Sequence, residues 1–283
     1  MTRVICSFKQ LTSIPTIPDD TRYLDCENNC IKVIENLSPK LKTFRCGGNS
    51  IRKIDGLPKR LLNFYCNFNR ISNIEGLPNN LELIYCAGNL IKEIKNLPKS
   101  LKNFNCNSNE ISKIQCLPEG LETFCCDGNI INKIENLPRS LVLFTCSFNY
   151  ISKIENLPEN LEEFHCFESL VSKIEGLPKT LRVFSCSGSN ITRIEGLPLG
   201  LKSLSISMGE INFIDNVSVK RISFTLKGYS AIKRIQLRMK RRYRLKVEAA
   251  KIIQNGLYNW LWKPEGIVMR IETRNLRETL GMF

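Results

Sequence analysis

Residues 41–60 read LKTFRCGGNSIRKIDGLPKR, and through most of the chain each following stretch of the same length repeats this pattern without an insertion. Within each unit, phenylalanine stands three residues after the first leucine, cysteine five after it and asparagine eight after it, which gives LxxFxCxxNxIxxIxxLPxx. A unit of this length is too short to bury its own apolar side chains. The repeat therefore predicts a solenoid whose turns shield one another by stacking.

The alternation of Phe44 and Cys46 predicts a short strand in each turn. Side chains two residues apart point to the same face of a strand, so Phe44 and Cys46 face the interior while residues 43, 45 and 47 face outward. Counted from Val4 and Cys6 to Phe224 and Leu226, twelve turns would stack. At a spacing of about 4.8 Å between neighbouring strands, they would form a body roughly 55 Å long.

The asparagine column and the second half of each unit predict how the turns close. The amide of Asn49 and its equivalents can satisfy buried backbone groups of adjacent turns, which no apolar side chain can do. The segment from Ile51 to Arg60 is too short for a helix with two turns, and its proline limits helix formation, so the outer side should be extended or 3₁₀-like. Ser169 replaces the asparagine in the stretch FESL, where we expect a local irregularity.

Ten of the thirteen cysteines occupy a single inward column. A metal or iron–sulfur ladder is one interpretation. We favour small apolar side chains in a narrow interior, because ligands must converge on a metal from several directions. The first fifteen residues lack the continuous apolar stretch of a signal peptide, so we expect reduced thiols and an intracellular, cytoplasmic protein. Of the cysteines outside the column (Cys30, Cys116 and Cys125), Cys125 on an outward strand position is expected to be the most reactive.

Composition separates a nearly neutral body from a basic end. The chain has 283 residues and a formal net charge of +14, and residues 217–283 hold 16 basic and 4 acidic residues. His165 is the single histidine, which argues against catalytic triads and most zinc sites. We therefore expect a protein that is not an enzyme and needs neither metal nor cofactor.

The unit resembles the leucine-rich repeat pattern LxxLxLxxNxL, with Phe and Cys in the second and third leucine positions. The twenty-residue length of the unit and the Leu-Pro-x-x-Leu of Leu57, Pro58 and Leu61 are most similar to the YopM and IpaH families of bacterial effectors, and similar proteins occur in giant amoeba viruses. The resemblance implies an α/β-type repeat solenoid over residues 1–217. A parallel sheet would line its concave face, where such proteins bind partner proteins.

The outward strand columns on that face are the candidate binding site. They show no charge stripe, so nucleic acid is a poor ligand for them, whereas several of their side chains are typical protein-contact anchors. Residues scattered over a scaffold without a single ligand are an equally good interpretation. The candidate partner-binding residues are Arg45, Tyr65, Tyr85, Asn105, His165 and Phe167.

The segment 218–283 is predicted to add a final strand and a helical cap, because residues 231–263 lack proline and carry apolar residues at helical spacing. Eight of its fourteen residues from 233 to 246 are basic. They are Lys233, Arg234, Arg238, Lys240, Arg241, Arg242, Arg244 and Lys246.

This basic patch has four interpretations. It could contact nucleic acid or direct nuclear import, bind an anionic membrane, bind an acidic protein, or simply be the solvated face of the cap. A further alternative makes the repeats the substrate-recognition arm of an effector resembling the IpaH ubiquitin ligases. The segment after the repeats contains no cysteine and is too short to hold that catalytic domain.

Overall fold

The computed structural model describes residues 2–189, 193–194, 196–207, 213–214 and 222–225. Its strands are short. They are β1 (Thr2–Ile5), β2 (Thr21–Asp25), β3 (Thr43–Arg45), β4 (Asn63–Tyr65), β5 (Leu83–Tyr85), β6 (Asn103–Asn105), β7 (Thr123–Cys125), β8 (Leu143–Thr145), β9 (Glu163–His165), β10 (Lys173–Ile174), β11 (Val183–Ser185), β12 (Arg193–Ile194), β13 (Ser203–Ser207), β14 (Phe213–Ile214) and β15 (Ile222–Thr225).

The strands form a parallel solenoid, which confirms the predicted fold class. Twelve strands make one sheet in the order β1-β2-β3-β4-β5-β6-β7-β8-β9-β11-β13-β15. Between neighbouring strands the register advances by one repeat unit, so that Phe44 pairs with Phe64 and Phe64 pairs with Ile84. The sequence period is therefore the structural period, and each turn contributes one strand.

The core is a continuous column of the inward side chains. Leu41, Phe44 and Cys46 have no exposed surface, and the same holds for their counterparts through most of the turns. Successive phenylalanine rings stack with centroids 5.6–5.7 Å apart, for example Phe124 on Phe144 at 5.6 Å with 9° between the ring planes. Offset stacking of this kind adds about 0.5–1.5 kcal/mol per pair beyond the burial of apolar area.

The asparagine column connects adjacent turns as the sequence predicts. The side-chain oxygen of Asn49 accepts the backbone N–H of Ile31 at 2.9 Å, and its Nδ2 donates to the carbonyls of Cys26 and Cys46, each at 3.0 Å. The same three bonds recur at the asparagines of the following turns up to Asn149. Each buried amide therefore satisfies backbone groups of its own turn and of the preceding turn.

This asparagine ladder is interrupted at Ser169, the position where an irregularity was expected. The Ser169 hydroxyl bonds the Ser189 hydroxyl at 2.8 Å instead of bridging to the preceding turn. The backbone nevertheless continues, because Leu170 donates its N–H to the Ile151 carbonyl at 2.9 Å. The backbone bond that links these two turns after the strand is thus retained, although the side-chain bridge is lost.

The outer side of each turn is extended, as predicted. Its only regular element among the described residues is a second parallel sheet of β10, β12 and β14. The chain bends before each Leu-Pro pair through a left-handed residue, which is glycine or asparagine in most turns and Cys116 (φ 53°) in one. Glycine adopts this backbone conformation without steric cost, whereas in a residue with a Cβ atom the conformation is sterically unfavourable.

The chain divides into two compact units, Met1–Phe224 and Thr225–Phe283. Nearly all of the second unit lies outside the described residues, and so does the predicted helical cap. The domain boundary at 217/218 stays a prediction. Within the described part of the chain, no helix is long and apolar enough to cross a bilayer.

Candidate binding surface on the sheet

Two rows of side chains flank the inward cysteines of the twelve-stranded sheet. Most of the first row is partly exposed, whereas most of the second row, the equivalents of residue 47, is buried rather than outward as expected. The strand row stands one residue before each inward cysteine, and the loop row stands one residue after it. Because the register is constant, each row runs straight along the stacked turns. The strand row contains Asp25, Arg45, Tyr65, Tyr85, Asn105, Cys125, Thr145, His165 and Ser185. The loop row contains Glu27, Gly47, Asn67, Ala87, Asn107, Asp127, Ser147, Phe167 and Ser187.

Three of the predicted binding residues form one contact chain in the strand row. The Arg45 guanidinium lies over the Tyr65 ring at 4.8 Å from its centroid. The Tyr65 ring meets the Tyr85 ring edge-on, with centroids 5.3 Å apart. Partial burial raises the pKa of both tyrosines, so their hydroxyl groups remain protonated and able to donate hydrogen bonds.

Arg45 is held in place by carboxylates at the start of both rows. Its Nη2 lies 3.0 Å from Glu27 Oε1, and its Nε lies 3.9 Å from Asp25 Oδ2. Burial raises the pKa of the Glu27 carboxyl, and the neighbouring Arg45 charge opposes this rise. The guanidinium is thus fixed by ion pairs on one side and by the Tyr65 ring on the other, which presents Arg45, Tyr65 and Tyr85 as one preorganised group.

The loop row carries a second hydrogen-bond ladder, which was not predicted from the sequence. The side-chain oxygens of Asn67 and Asn107 accept the backbone N–H groups of Ala87 and Asp127 at 2.8 and 2.7 Å. Asp127 Oδ1 accepts the N–H of Ser147 at 2.6 Å in the same way. The signal for this ladder was present in the sequence as the recurrence of short polar residues immediately after the cysteines.

Asp127 is a nearly fully buried carboxyl group within this ladder. Besides the Ser147 N–H, it accepts the Thr145 hydroxyl at 2.8 Å. Burial raises the pKa of the Asp127 carboxyl to about 6, although these two hydrogen bonds and the neighbouring His165 lower it in part. The charge of Asp127 therefore changes close to neutral pH, in the middle of the sheet face.

His165 does not reach the surface, which corrects the expectation that its side chain is available to a partner. Only 2% of its area is exposed, because the Phe167 ring stacks on the imidazole with centroids 5.8 Å apart. Neither ring nitrogen has a hydrogen-bond partner among the described residues, and Glu163 Oε2 lies 3.9 Å from Nε2. The Phe167 side chain that covers the imidazole is itself partly exposed. Asn105, another candidate binding residue, is also partly exposed, and its side-chain oxygen accepts the N–H of Asn107 at 3.1 Å.

The expectation that Cys125 is the most reactive cysteine is wrong. Burial raises the pKa of its thiol to about 12, so the nucleophilic thiolate is scarce. Cys116 is the exposed cysteine. The column cysteines face inward as predicted, and several donate weakly to the next turn, as Cys126 Sγ does to the Thr145 carbonyl at 3.3 Å.

The basic patch of residues 233–246 lies outside the described residues. Among the residues that are described, no group of three or more His, Cys, Asp or Glu side chains is arranged to hold a metal ion. Of the candidate binding residues predicted from the sequence, the structure therefore places only those of the sheet face.

No protein-family model and no curated protein matches the chain significantly. Solved structures do. YopM from Yersinia enterocolitica WA-314 superimposes with a TM-score of 0.74 at 26% identity, over 80% of this chain and 51% of that one. YopM from Yersinia pestis superimposes with a TM-score of 0.71 at 25% identity, over 80% of this chain and 65% of that one. The chain has the leucine-rich repeat fold of these YopM structures.

This leucine-rich repeat chain aligns with about half to two thirds of the length of the YopM structures. Two further structures share its fold. InlJ from Listeria monocytogenes, whose functional domain includes a cysteine ladder, has a TM-score of 0.65 at 21% identity and aligns over 84% of this chain and 62% of its own. The FLRT2 repeat domain, solved in an octameric complex with latrophilin 3 and Unc5D, has a TM-score of 0.61 at 22% identity, over 80% and 76%.

Proposed function

We propose that this leucine-rich repeat protein is a noncatalytic interaction module that binds a partner protein on its sheet face. The contact chain of Arg45, Tyr65 and Tyr85 is the observation that carries the proposal. Arginine and tyrosine dominate the binding energy of protein interfaces. Here ion pairs and ring contacts already order these side chains. They would therefore lose little conformational entropy when a partner binds.

The chemistry of the same face supports binding over catalysis. Cys125, Asp127 and His165 are residue types that catalyse hydrolysis when they are paired. However, both nitrogens of His165 lack hydrogen-bond partners in the described structure, and the raised pKa of Cys125 disfavours its thiolate. The fold neighbours point the same way, since the FLRT2 repeat domain was solved in complex with other proteins.

Two alternative functions would use other parts of the protein. Binding of nucleic acid, an anionic membrane or an acidic partner would use residues 233–246, and a role as the recognition arm of a ubiquitin-ligase-like effector would need a further catalytic domain. No observation on the described residues favours either one. A cytoplasmic location, in the host cytoplasm if the source is viral, belongs to the proposal and agrees with thirteen free cysteines.

The test is affinity capture with matched variants followed by reconstitution. The doubly substituted Y65A/Y85A protein removes the aromatic pair, and Tyr150→Ala removes an exposed tyrosine outside both rows. We expect a partner that wild type and Tyr150→Ala retain and that the double variant loses. With purified partner, affinity should fall at least 30-fold, which corresponds to about 2 kcal/mol for a hot-spot residue. Equal capture by all three proteins, at equal thermal stability, would refute the proposal.

A further inference from the structure

A depression of about 490 Å³ shares no residue with the strand row or the loop row, and four of its eight lining residues are cationic. It draws residues from three consecutive turns. Lys32 comes from the first of these, Arg52 and Lys53 from the second and Arg70 from the third, and Asp55 is the sole acidic residue in the lining. Four positive charges therefore face one negative charge on a body that carries little net charge over residues 1–216.

None of these four cations forms an ion pair with another described residue. Elsewhere on the outer side, the equivalent lysines do form pairs, since Lys133 bonds Glu135 and Lys153 bonds Glu155 within their own turns. In the turn of Arg52 and Lys53, Asp55 occupies the corresponding acidic position without lying within ion-pair distance of either. Because these cations have no carboxylate partner among the described residues, all four are available to neutralise a bound anion.

Arg70 provides a second and independent sign of a missing partner. Its Nε is shielded from solvent and has no hydrogen-bond acceptor among the described residues. The backbone there is fixed, because the Arg70 N–H donates to the Ile51 carbonyl at 2.8 Å. A buried N–H donor without an acceptor is unfavourable, and an anion in the depression would supply that acceptor.

We propose that this depression binds a small, multiply charged phosphate ligand. Two guanidinium groups can each form paired hydrogen bonds to phosphate oxygens, and two ammonium groups add charge without fixed geometry. This proposal is independent of partner binding on the sheet face, since the depression shares no residue with the strand row or the loop row.

Isothermal titration calorimetry of the full-length protein with inorganic tripolyphosphate, at an ionic strength of about 0.15 M, tests the proposal. Arg52→Gln and Arg70→Gln each remove one guanidinium, and Arg139→Gln removes an exposed arginine that does not line the depression. We expect saturable binding by wild type and Arg139→Gln. Each of the other two variants should bind roughly tenfold more weakly or worse, because each loses charge-assisted hydrogen bonds to the phosphate.

Two competition experiments complete the test. The first distinguishes specific phosphate binding from nonspecific attraction of anions, and the second identifies the source of the phosphate. Sulfate at the same ionic strength should compete poorly with tripolyphosphate. Vesicles that contain phosphatidylinositol bisphosphate compete with tripolyphosphate if the depression accepts a lipid headgroup, and do not compete if it accepts only free phosphates. Either vesicle result supports the site when tripolyphosphate binds.

Three results would overturn the proposal. They are no tripolyphosphate binding by the folded wild type, equal affinities of the three arginine variants, as binding by the basic residues 233–246 would give, and displacement of tripolyphosphate by equimolar sulfate. Far-UV circular dichroism melts of each variant exclude unfolding as the cause of lost binding. If Arg70→Gln melts early, Arg52→Gln alone decides, because Arg52 is exposed and its side chain supports no packing in the core.

Discussion

Replacing Asp127 with asparagine should stabilise the protein at neutral pH and remove part of the dependence of its stability on pH. Burial raises the pKa of the Asp127 carboxyl from its ordinary value of 3.8 to about 6. A raised pKa means that the folded state holds the proton more tightly than the unfolded state does. The contribution of Asp127 to stability is therefore fully present below pH 4 and is lost as the pH rises through about 6.

The size of the effect follows from the pKa difference. Each pKa unit corresponds to about 1.4 kcal/mol, so ionised Asp127 destabilises the fold above pH 6 by at most about 3 kcal/mol. Asparagine should keep the structure intact, because Asn67 and Asn107 accept the N–H of the following turn in the same row with the geometry of Asp127. Its amide group can also donate to the Thr145 hydroxyl, which now donates to Asp127.

Urea unfolding followed by far-UV circular dichroism at pH 4, 6 and 8 would measure this effect. The free energy of unfolding of Asp127→Asn should exceed that of wild type by about 2–3 kcal/mol at pH 8 and by much less at pH 4. The other titrating groups are common to both proteins and cancel in the difference. Asn67→Asp is the reciprocal control and should lose stability as the pH rises. A wild-type minus variant difference that stays constant between pH 4 and 8 would refute the assignment of a raised pKa to Asp127.

Three further predictions concern the repeat itself. Ser169→Asn should restore the interrupted ladder and raise the free energy of unfolding by about 1–3 kcal/mol in urea titrations. Asn109→Ser should lower the free energy of unfolding by a similar amount. Equal stability of both variants and wild type would contradict this role of the asparagine ladder. In the native protein, Cys116 should react first with a thiol reagent and Cys125 much more slowly, because Cys116 is exposed and the pKa of the partly exposed Cys125 thiol is raised; all thirteen thiols should titrate on unfolding. A native reaction at Cys125 as fast as that at Cys116, located by peptide mapping, would contradict this order. Phe124→Ala should cost about 3–5 kcal/mol of thermodynamic stability, and a loss below about 1 kcal/mol would contradict the stacked core.

The parts of the fold that depend on a single column were predictable from the sequence. The inward direction of Phe44, the position of each strand and the bridging role of Asn49 all follow from the constant period, because a side chain in one turn meets its own equivalent in the next. The interruption at Ser169 was predictable for the same reason. A column that loses its asparagine loses the bridging amide.

The parts that depend on contacts between columns were not predictable. His165 occupies an outward position, but its exposure is decided by Phe167 two residues later, whose ring covers the imidazole. Cys125 is likewise outward by alternation, but it is only partly exposed and desolvation by the surrounding protein raises the pKa of its thiol. The period gives the direction of a side chain relative to the sheet. It does not give the size of the neighbouring side chains, which determines how much of that side chain remains exposed to solvent.

The repeat also explains why function should lie where the columns vary. The inward columns are nearly constant because every turn must present the same shape to the next, so an altered residue there costs stability in two neighbouring turns. The partly exposed columns carry no such constraint, and a group formed across several turns, such as Arg45 with Tyr65 and Tyr85 or the four cations around Arg70, can therefore be specific to its own turns. Because these two groups share no residue, substitutions in one should leave binding at the other unchanged, and additive effects in a combined variant would show that the frame presents two separate surfaces.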